Sequence, residues 1–330
     1  MTRSVSGLTA ASSLYWRLAF RASAVALACL LPVTGWAAEP FKTKADLANF
    51  LIWNIEQPIP AEKQFRDAMT AYAPDSPEYA EISTQLARAL GLQQKFKEAH
   101  ALLDALEPRL GSLPPIVAVR VHLERGRLFN SNHEQARAKP LFEQAWDEAR
   151  ASHHDYLAVD AAHMMAFVVP PEEQLAWNKK ALDYAEASTA PRAKRWLASL
   201  YNNVGMAYQD MGKYDDALAA FDRALVERQK MDEPSEVAVA RWMIAHVHRL
   251  MGRNDEALAE QLALEKAMLA SGDIDGYVYE ELAELYLAKD DKKQAKHYAG
   301  LAYDELSTDI WLVRDEPERL ARLKRLSEEN

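Results

Sequence analysis

A small residue recurs through the chain at the centre of otherwise apolar helical segments. Ala87, Gly126, Ala162, Gly205, Ala245 and Ala283 are separated by 39, 36, 43, 40 and 38 residues. Spacing of this kind marks stacked supersecondary units, none of which can bury its apolar face alone. The clearest copy runs through Tyr201, Val204, Gly205 and Tyr208, turns at Gly212-Lys213-Tyr214, and continues with Ala217, Phe221 and Ala224. Ala217, Leu218, Phe221, Ala224 and Leu225 step by three and four residues, which is one apolar helical stripe, and nothing alternates at period two over a useful length. Gly205 and Ala217 leave room for two helices to approach, Tyr201, Tyr208 and Phe221 fill the space around them, and Gly212 marks the turn. Ala217 is therefore expected at a helix-helix contact. Gly126, Phe129, Ala138, Phe142 and Ala145 repeat the frame well, Ala245, His248, Gly252, Ala257 and Leu264 repeat it less closely, and the copy around Ala162 fits it poorly.

This order of small, aromatic and apolar positions resembles the tetratricopeptide repeat, in which two antiparallel helices form each unit. The intervals exceed the family repeat of about 34 residues, a lengthening similar to the kinesin-light-chain and bacterial peptide-sensor branches. The resemblance covers roughly residues 80–306. It implies an all-α, right-handed α-solenoid of helical hairpins with a terminal capping helix. The expected segments are a signal peptide over 1–37, an N-terminal helical pair over 38–78 that starts after the Thr43 cap, about six repeats over 79–306, and a C-terminal capping helix over 307–330 carrying Trp311, Leu312, Leu320 and Leu323.

The first residues read as an address rather than as part of the fold. Residues 1–21 hold Arg3, Arg17 and Arg21 and no acid, and the apolar run from Ala22 to Trp36 ends at Gly35-Trp36-Ala37. That order resembles a secretory signal peptide cleaved after Ala37. The run contains Pro32 and falls short of the roughly 20 apolar residues that cross a bilayer, so an uncleaved inner-membrane anchor is the alternative. The chain is expected to be exported to the periplasm, with no membrane insertion after leader removal. The only cysteine, Cys29, lies in the leader, so the mature chain would have no thiol for a disulfide or a zinc site. Loss of the three leader arginines takes the formal charge from −10 to −13, and an acidic body is a poor partner for nucleic acid or anionic lipid.

No motif points to catalysis. Six residues separate Gly205 from Gly212-Lys213, where a phosphate loop has four, and no Gly-x-Ser-x-Gly elbow occurs. Ser271, Asp273, Asp275 and Gly276 partly mimic a calcium loop, but Leu282 stands where the closing acid belongs, so a polar capping turn is expected. Glu172-Glu173 and the basic run Arg192, Lys194, Arg195 read as solvated helix starts. His153, His154 and His163 are the one grouping that a metal-dependent enzyme would use. No cofactor and no metal are expected, and the chain reads as non-enzymatic.

The resemblance implies that the first helix of each hairpin lines a concave groove. By that frame the groove holds Arg127, Asn202, Asn203, Met206, Gln209, Trp242, His246, Arg249 and Tyr277, with Arg88, Arg120, Tyr156, His163, Phe167 and the acidic Glu284 also facing inward. Aromatic and arginine side chains are the types enriched at protein-protein hot spots. Trp242 and Arg249 lie seven residues apart on one face opposed to Ile244 and His248, and are expected on the groove wall rather than in the packed interior. No asparagine ladder follows Asn203, because Gln85, Glu124, Asp160, Met243 and Glu281 occupy its equivalents. Val239 and Met243 stand where chaperone-binding relatives need bases. The expected function is an exported scaffold that binds a protein or peptide segment in envelope assembly or maintenance. The alternative is a regulator whose helices shift on binding a peptide or metabolite.

Overall fold

The computed structural model describes residue 41, residues 43–232 and residues 234–328. The leader expected over 1–37 lies outside them, as does the side chain of Trp311. Among the described residues there are helices and turns and no strand, so the fold class is all-α. Helix α1 is Lys44–Phe50 and α2 is Pro58–Met69. Six hairpins follow: α3 (Pro77–Leu92) with α4 (Phe96–Leu106), α5 (Pro115–Ser131) with α6 (Gln135–Ala151), α7 (Asp155–Met165) with α8 (Pro171–Ala187), α10 (Leu197–Asp210) with α11 (Tyr214–Met231), α12 (Pro234–Leu250) with α13 (Asn254–Ser271), and α14 (Gly276–Ala288) with α15 (Lys292–Leu306). The short α9 (Pro191–Lys194) precedes the fourth hairpin, and α16 (Ile310–Asp315) and α17 (Pro317–Glu328) close the chain.

Local chemistry explains where the helices start. Thr43 forms a capping box with Asp46, each side chain accepting the other's backbone N–H at 3.1 and 3.0 Å. Seven helices begin on a proline, from Pro58 to Pro317, because the first helical N–H has no partner to lose and the ring presets φ.

The internal frame of the hairpins is more regular than the sequence spacing. In all six, the second helix starts nine residues after the small residue, at Phe96, Gln135, Pro171, Tyr214, Asn254 and Lys292. The variable part of the repeat lies outside this step, in the second helix and the connection after it. Five hairpins turn through one left-handed residue: Gln94, His133, Gly212, Gly252 or Asp290, with φ between 57° and 76°. In each of the five the next N–H donates to a carbonyl five residues back, as Lys213 does to Tyr208 at 2.9 Å and Glu134 to Phe129 at 2.8 Å. This is the Schellman closure of a helix end. The hairpin around Ala162 lacks it and turns through Ala166–Pro170, which is why that copy fits the pattern poorly by sequence.

Close approach at the small residue holds each hairpin together. A Cβ added to Gly126 would lie 2.5 Å from the Phe142 ring, and one added to Gly205 would lie 2.7 Å from the Phe221 ring. Phe142, Phe221 and Ala217 are fully buried. The described residues fall into two compact units, one ending at Leu200 and the other beginning at Tyr201. Within each, helices pack on their sequence neighbours, as expected of stacked repeats. In the second unit α17 packs on α15 and buries Leu320 and Leu323 against the last hairpin.

Two substitutions and one control test this packing. Gly205→Ala should lower the thermal midpoint even though alanine favours the helix by about 1 kcal/mol, because the Phe221 ring has nowhere to go. Gly111→Ala, where nothing lies within 4 Å, should leave it within about a degree. Ala217→Arg should cost about 3 kcal/mol or more; a midpoint unchanged by Gly205→Ala or Ala217→Arg would contradict the contact.

Candidate functional site

Counting from the small residue of each hairpin, one face of the first helices carries positions −6, −3, −2, +1 and +4. In the second unit this face is Asn202, Met206 and Gln209 on α10, Trp242, His246 and Arg249 on α12, and Tyr277 and Glu281 on α14. Steps of three and four residues keep each set on one side of its helix. The structure thus brings the expected residues Asn202, Met206, Gln209, Trp242, His246, Arg249 and Tyr277 onto three successive first helices. Arg127 belongs to the other unit and stands on α5.

Most of these side chains are covered. Asn203, on the same helix as Asn202, is buried, and Asn202, Met206, Gln209, His246 and Tyr277 are buried too. The expectation that Trp242 stands on an open wall, apart from the packed interior, is corrected. Its indole is 5 % exposed, stacks on the His246 ring at 5.1 Å, and donates Nε1–H to the Tyr277 carbonyl at 3.1 Å. An indole that ties one first helix to the next contributes to packing, so its loss would disturb the fold as well as the face.

Charge on this face follows a rule that the sequence analysis did not extract. A base at +1 pairs with an acid at −2 of the next hairpin. Arg88 lies 3.8 Å from Glu124, Arg127 is bonded to Asp160, and His246 Nδ1 lies 2.7 Å from Glu281. Arg249 donates to both Glu281 oxygens at 2.7 Å, and Arg127 also holds Glu124 at 2.7 Å. Complementary charge at steps of 33 to 36 residues was the available signal. The ladder is interrupted where Met206 and Met243 occupy the paired positions, and both lie in one apolar cluster with Trp242. Beyond the last hairpin, Arg319 of α17 pairs with Glu280 of α14.

These pairs set the titration of the face. Burial raises the Glu281 carboxyl, but His246 and Arg249 outweigh it and hold it down at about 2. Asp160 is lowered in the same way, with burial opposed by Arg127 and Arg88. Burial lowers His163 to about 4 and pushes the Tyr277 phenol up to about 12. Such networks confer geometry more than stability, because desolvation offsets much of the attraction.

In the second unit two acceptors on this face have no hydrogen-bond partner, Asn202 Oδ1 and Gln209 Oε1, and in the first unit Glu124 Oε2 has none. Asn202 and Gln209 stand two turns apart on α10, with Met206 between them accepting from Asn202 Nδ2 through its sulfur at 3.2 Å. A buried acceptor without a donor costs about 1–3 kcal/mol.

The histidine grouping does not assemble. His153 is a left-handed turn residue, His154 Nδ1 lies 2.7 Å from the Ser152 carbonyl, and His163 packs on the rings of Phe167 and Trp196. Among the described residues no three of His, Cys, Asp and Glu are placed to hold a metal ion. Asp275 caps α14 by accepting from the Tyr277 N–H at 2.9 Å. Arg192 lies over the Tyr156 ring at 4.0 Å, and Arg120 donates to the Tyr156 hydroxyl at 2.9 Å.

Residues 196–263 match the family model of the tetratricopeptide repeat. Over 91 residues the chain is 33% identical to ER membrane protein complex subunit 2-A of Xenopus laevis, a stretch that covers 28% of this chain and 27% of that protein. The chain therefore spans about a quarter of the length of this curated relative. The signal transduction ATPase with a tetratricopeptide repeat sensor from Pyrococcus horikoshii superposes with a TM-score of 0.64 at 14% identity, covering 82% of this chain and 43% of that one. NprR in complex with its cognate peptide NprX superposes with a TM-score of 0.52 at 14% identity, covering 85% of this chain and 81% of that one. At these identities the likeness is one of fold. The chain carries a tetratricopeptide repeat segment, and its hairpins are those of tetratricopeptide-like solenoid proteins.

The shifted groups give a pH dependence with two windows. His163 titrates near 4 when folded and near 6.5 when unfolded, so the unfolded chain binds the extra proton and stability falls as pH drops from 6.5 to 4. Glu281 titrates near 2 when folded against 4.5 when free, so its contribution is present above 4.5 and is lost as pH falls towards 2. Thermal midpoints measured from pH 7 to 3 should fall through both windows. His163→Gln should flatten the upper one and leave the lower; an unchanged upper slope would refute the assignment.

Proposed function

We propose that the chain is an exported, non-enzymatic scaffold that binds a protein or peptide segment on the face shared by α10, α12 and α14, in envelope assembly or maintenance. The observation that carries this reading is the pair of partnerless acceptors, Asn202 Oδ1 and Gln209 Oε1. A polypeptide backbone offers N–H donors at regular intervals, and two amide oxygens two helical turns apart can take them once the side chains that bury them give way to the ligand. Met206 between the amides and Trp242 on the next helix are part of the apolar cluster beneath that ligand path. Arg249, fixed by Glu281, supplies a preorganised charge whose main contribution is register. The likeness to NprR, solved with its cognate peptide, agrees with a peptide ligand. No helix among the described residues is long and apolar enough to cross a membrane, which is compatible with export once the basic leader is removed.

The test uses the separation of binding from stability. Peptides selected from a random library on the purified chain should bind the double variant Asn202→Leu, Gln209→Leu at least about tenfold more weakly. The same variant should melt no lower than the parent, because two orphaned acceptors are gone. Retention of all selected peptides by the variant would refute the site. For export, N-terminal sequencing of the protein from its own envelope should find the chain starting at Ala38, and a chain still starting at Met1 would favour the anchored alternative.

A further inference from the structure

In the two hairpins whose small residue is glycine, the closing contact pairs it with the residue sixteen positions later. Phe142 stands opposite Gly126, and Phe221 opposite Gly205. The same step from Ala87 reaches Leu103, an aliphatic residue suited to the extra methyl group, and Leu103 is fully buried. From Ala283 it reaches the buried Ala299, from Ala162 it reaches Asn178, which is 1 % exposed with its Oδ1 unpartnered, and from Ala245 it reaches Gln261. Gln261 is 0 % exposed, and neither its Nε2 nor its Oε1 has a hydrogen-bond partner. A primary amide therefore occupies the core position of this hairpin, with donor and acceptor both removed from water and both unpaired.

The helix that carries Gln261 has a second irregularity. While α13 buries Gln261, it leaves Leu262 36 % exposed and Leu269 57 % exposed. Its apolar residues are thus divided between two faces, and only one is packed. On α11, the corresponding helix one repeat earlier, Val226 is exposed in the same way, at 44 %, but the core stripe of Ala217, Phe221 and Ala224 is wholly apolar and fully buried. A third observation lies at the other end of the hairpin. Glu236, 3 % exposed in the first turn of α12, has Oε1 without a partner although its other oxygen is bound by Arg228. Unpaired buried polar groups are paid for out of the stability of the element that contains them.

We infer that the hairpin Pro234–Ser271 is the built-in opening point of its unit: α13 undocks before its neighbours α11 and α15 because Gln261 stands where Phe221 and Ala299 close the hairpins on either side. Local opening follows the least stable cooperative unit, not the mean of the chain. When α13 leaves, the amide regains water and the inner surface of α12 loses its support, so the face bearing Trp242, His246 and Arg249 loosens with it. The inference concerns the free chain and holds whatever ligand the face takes.

Hydrogen exchange followed by mass spectrometry reads the opening directly. In the wild-type chain, amides within 254–271 should exchange at least about tenfold faster than those within 214–231. Gln261→Leu, which copies the Ala87 and Leu103 pair, should remove most of that difference and raise the thermal midpoint by about 2 °C or more. Because a branched side chain can fit poorly at one site, the double variant Ala245→Gly, Gln261→Phe provides a second route by re-creating the Gly205 and Phe221 pair. The inference stands if either apolar variant raises the midpoint and slows exchange within 254–271. It is overturned if both leave the midpoint unchanged or lower, or if the wild-type segment is already as protected as 214–231.

Discussion

The close approach of two helices at one small residue is the constraint on which each hairpin depends. Gly126 against Phe142 and Gly205 against Phe221 leave no room for a methyl group. That contact fixes how near the helices lie and how they are rotated, and the left-handed turn residue at Gln94, His133, Gly212, Gly252 or Asp290 closes the end. Where the small residue is alanine, the partner must shrink, as at Leu103. At Gln261 and Asn178 a buried amide stands at that position in place of an apolar side chain.

From that rotation the rest of the face follows. Once each first helix is set, the positions at +1 and −2 of successive hairpins come within reach, and three of these junctions pair a basic side chain with a carboxylate. Arg88, Arg127 and His246 are thereby held by acids before any ligand arrives. The apolar step at Met206 and Met243, flanked by the amides of Asn202 and Gln209, differs from the charged junctions in chemistry, and two amide acceptors remain unmet there, as Glu124 Oε2 does at the Arg88 junction.

Much of the helical architecture is legible in the residue order because its causes are local. The three- and four-residue stripe of Ala217, Phe221 and Ala224, the prolines at helix starts and the Thr43 capping box each act within a few residues. The turn residues were only half legible. Gly212 and Gly252 announce a left-handed conformation, but Gln94, His133 and Asp290 adopt it without glycine, since the hairpin contact on either side outweighs a local penalty of about 1 kcal/mol. The candidate site was less legible still. Frame alone gathers Asn202, Met206, Gln209, Trp242, His246, Arg249 and Tyr277 onto one face, yet it cannot say that Trp242 donates to the Tyr277 carbonyl, because that bond joins residues 35 positions apart.

The sequence by itself determined the helices, the two-helix unit, its recurrence and the small residue at each crossing, since these rest on periodicity and on side-chain volume. Tertiary structure alone decided which charges meet, that Glu124, Asp160 and Glu281 are partners of bases one hairpin earlier, and that Gln261 and the Asn202 and Gln209 oxygens lie buried without partners. The physical reason is that hydrogen bonding and desolvation depend on the position of a partner to within a few tenths of an ångström. Periodicity places a residue on a face, whereas only packing between hairpins places one atom against another.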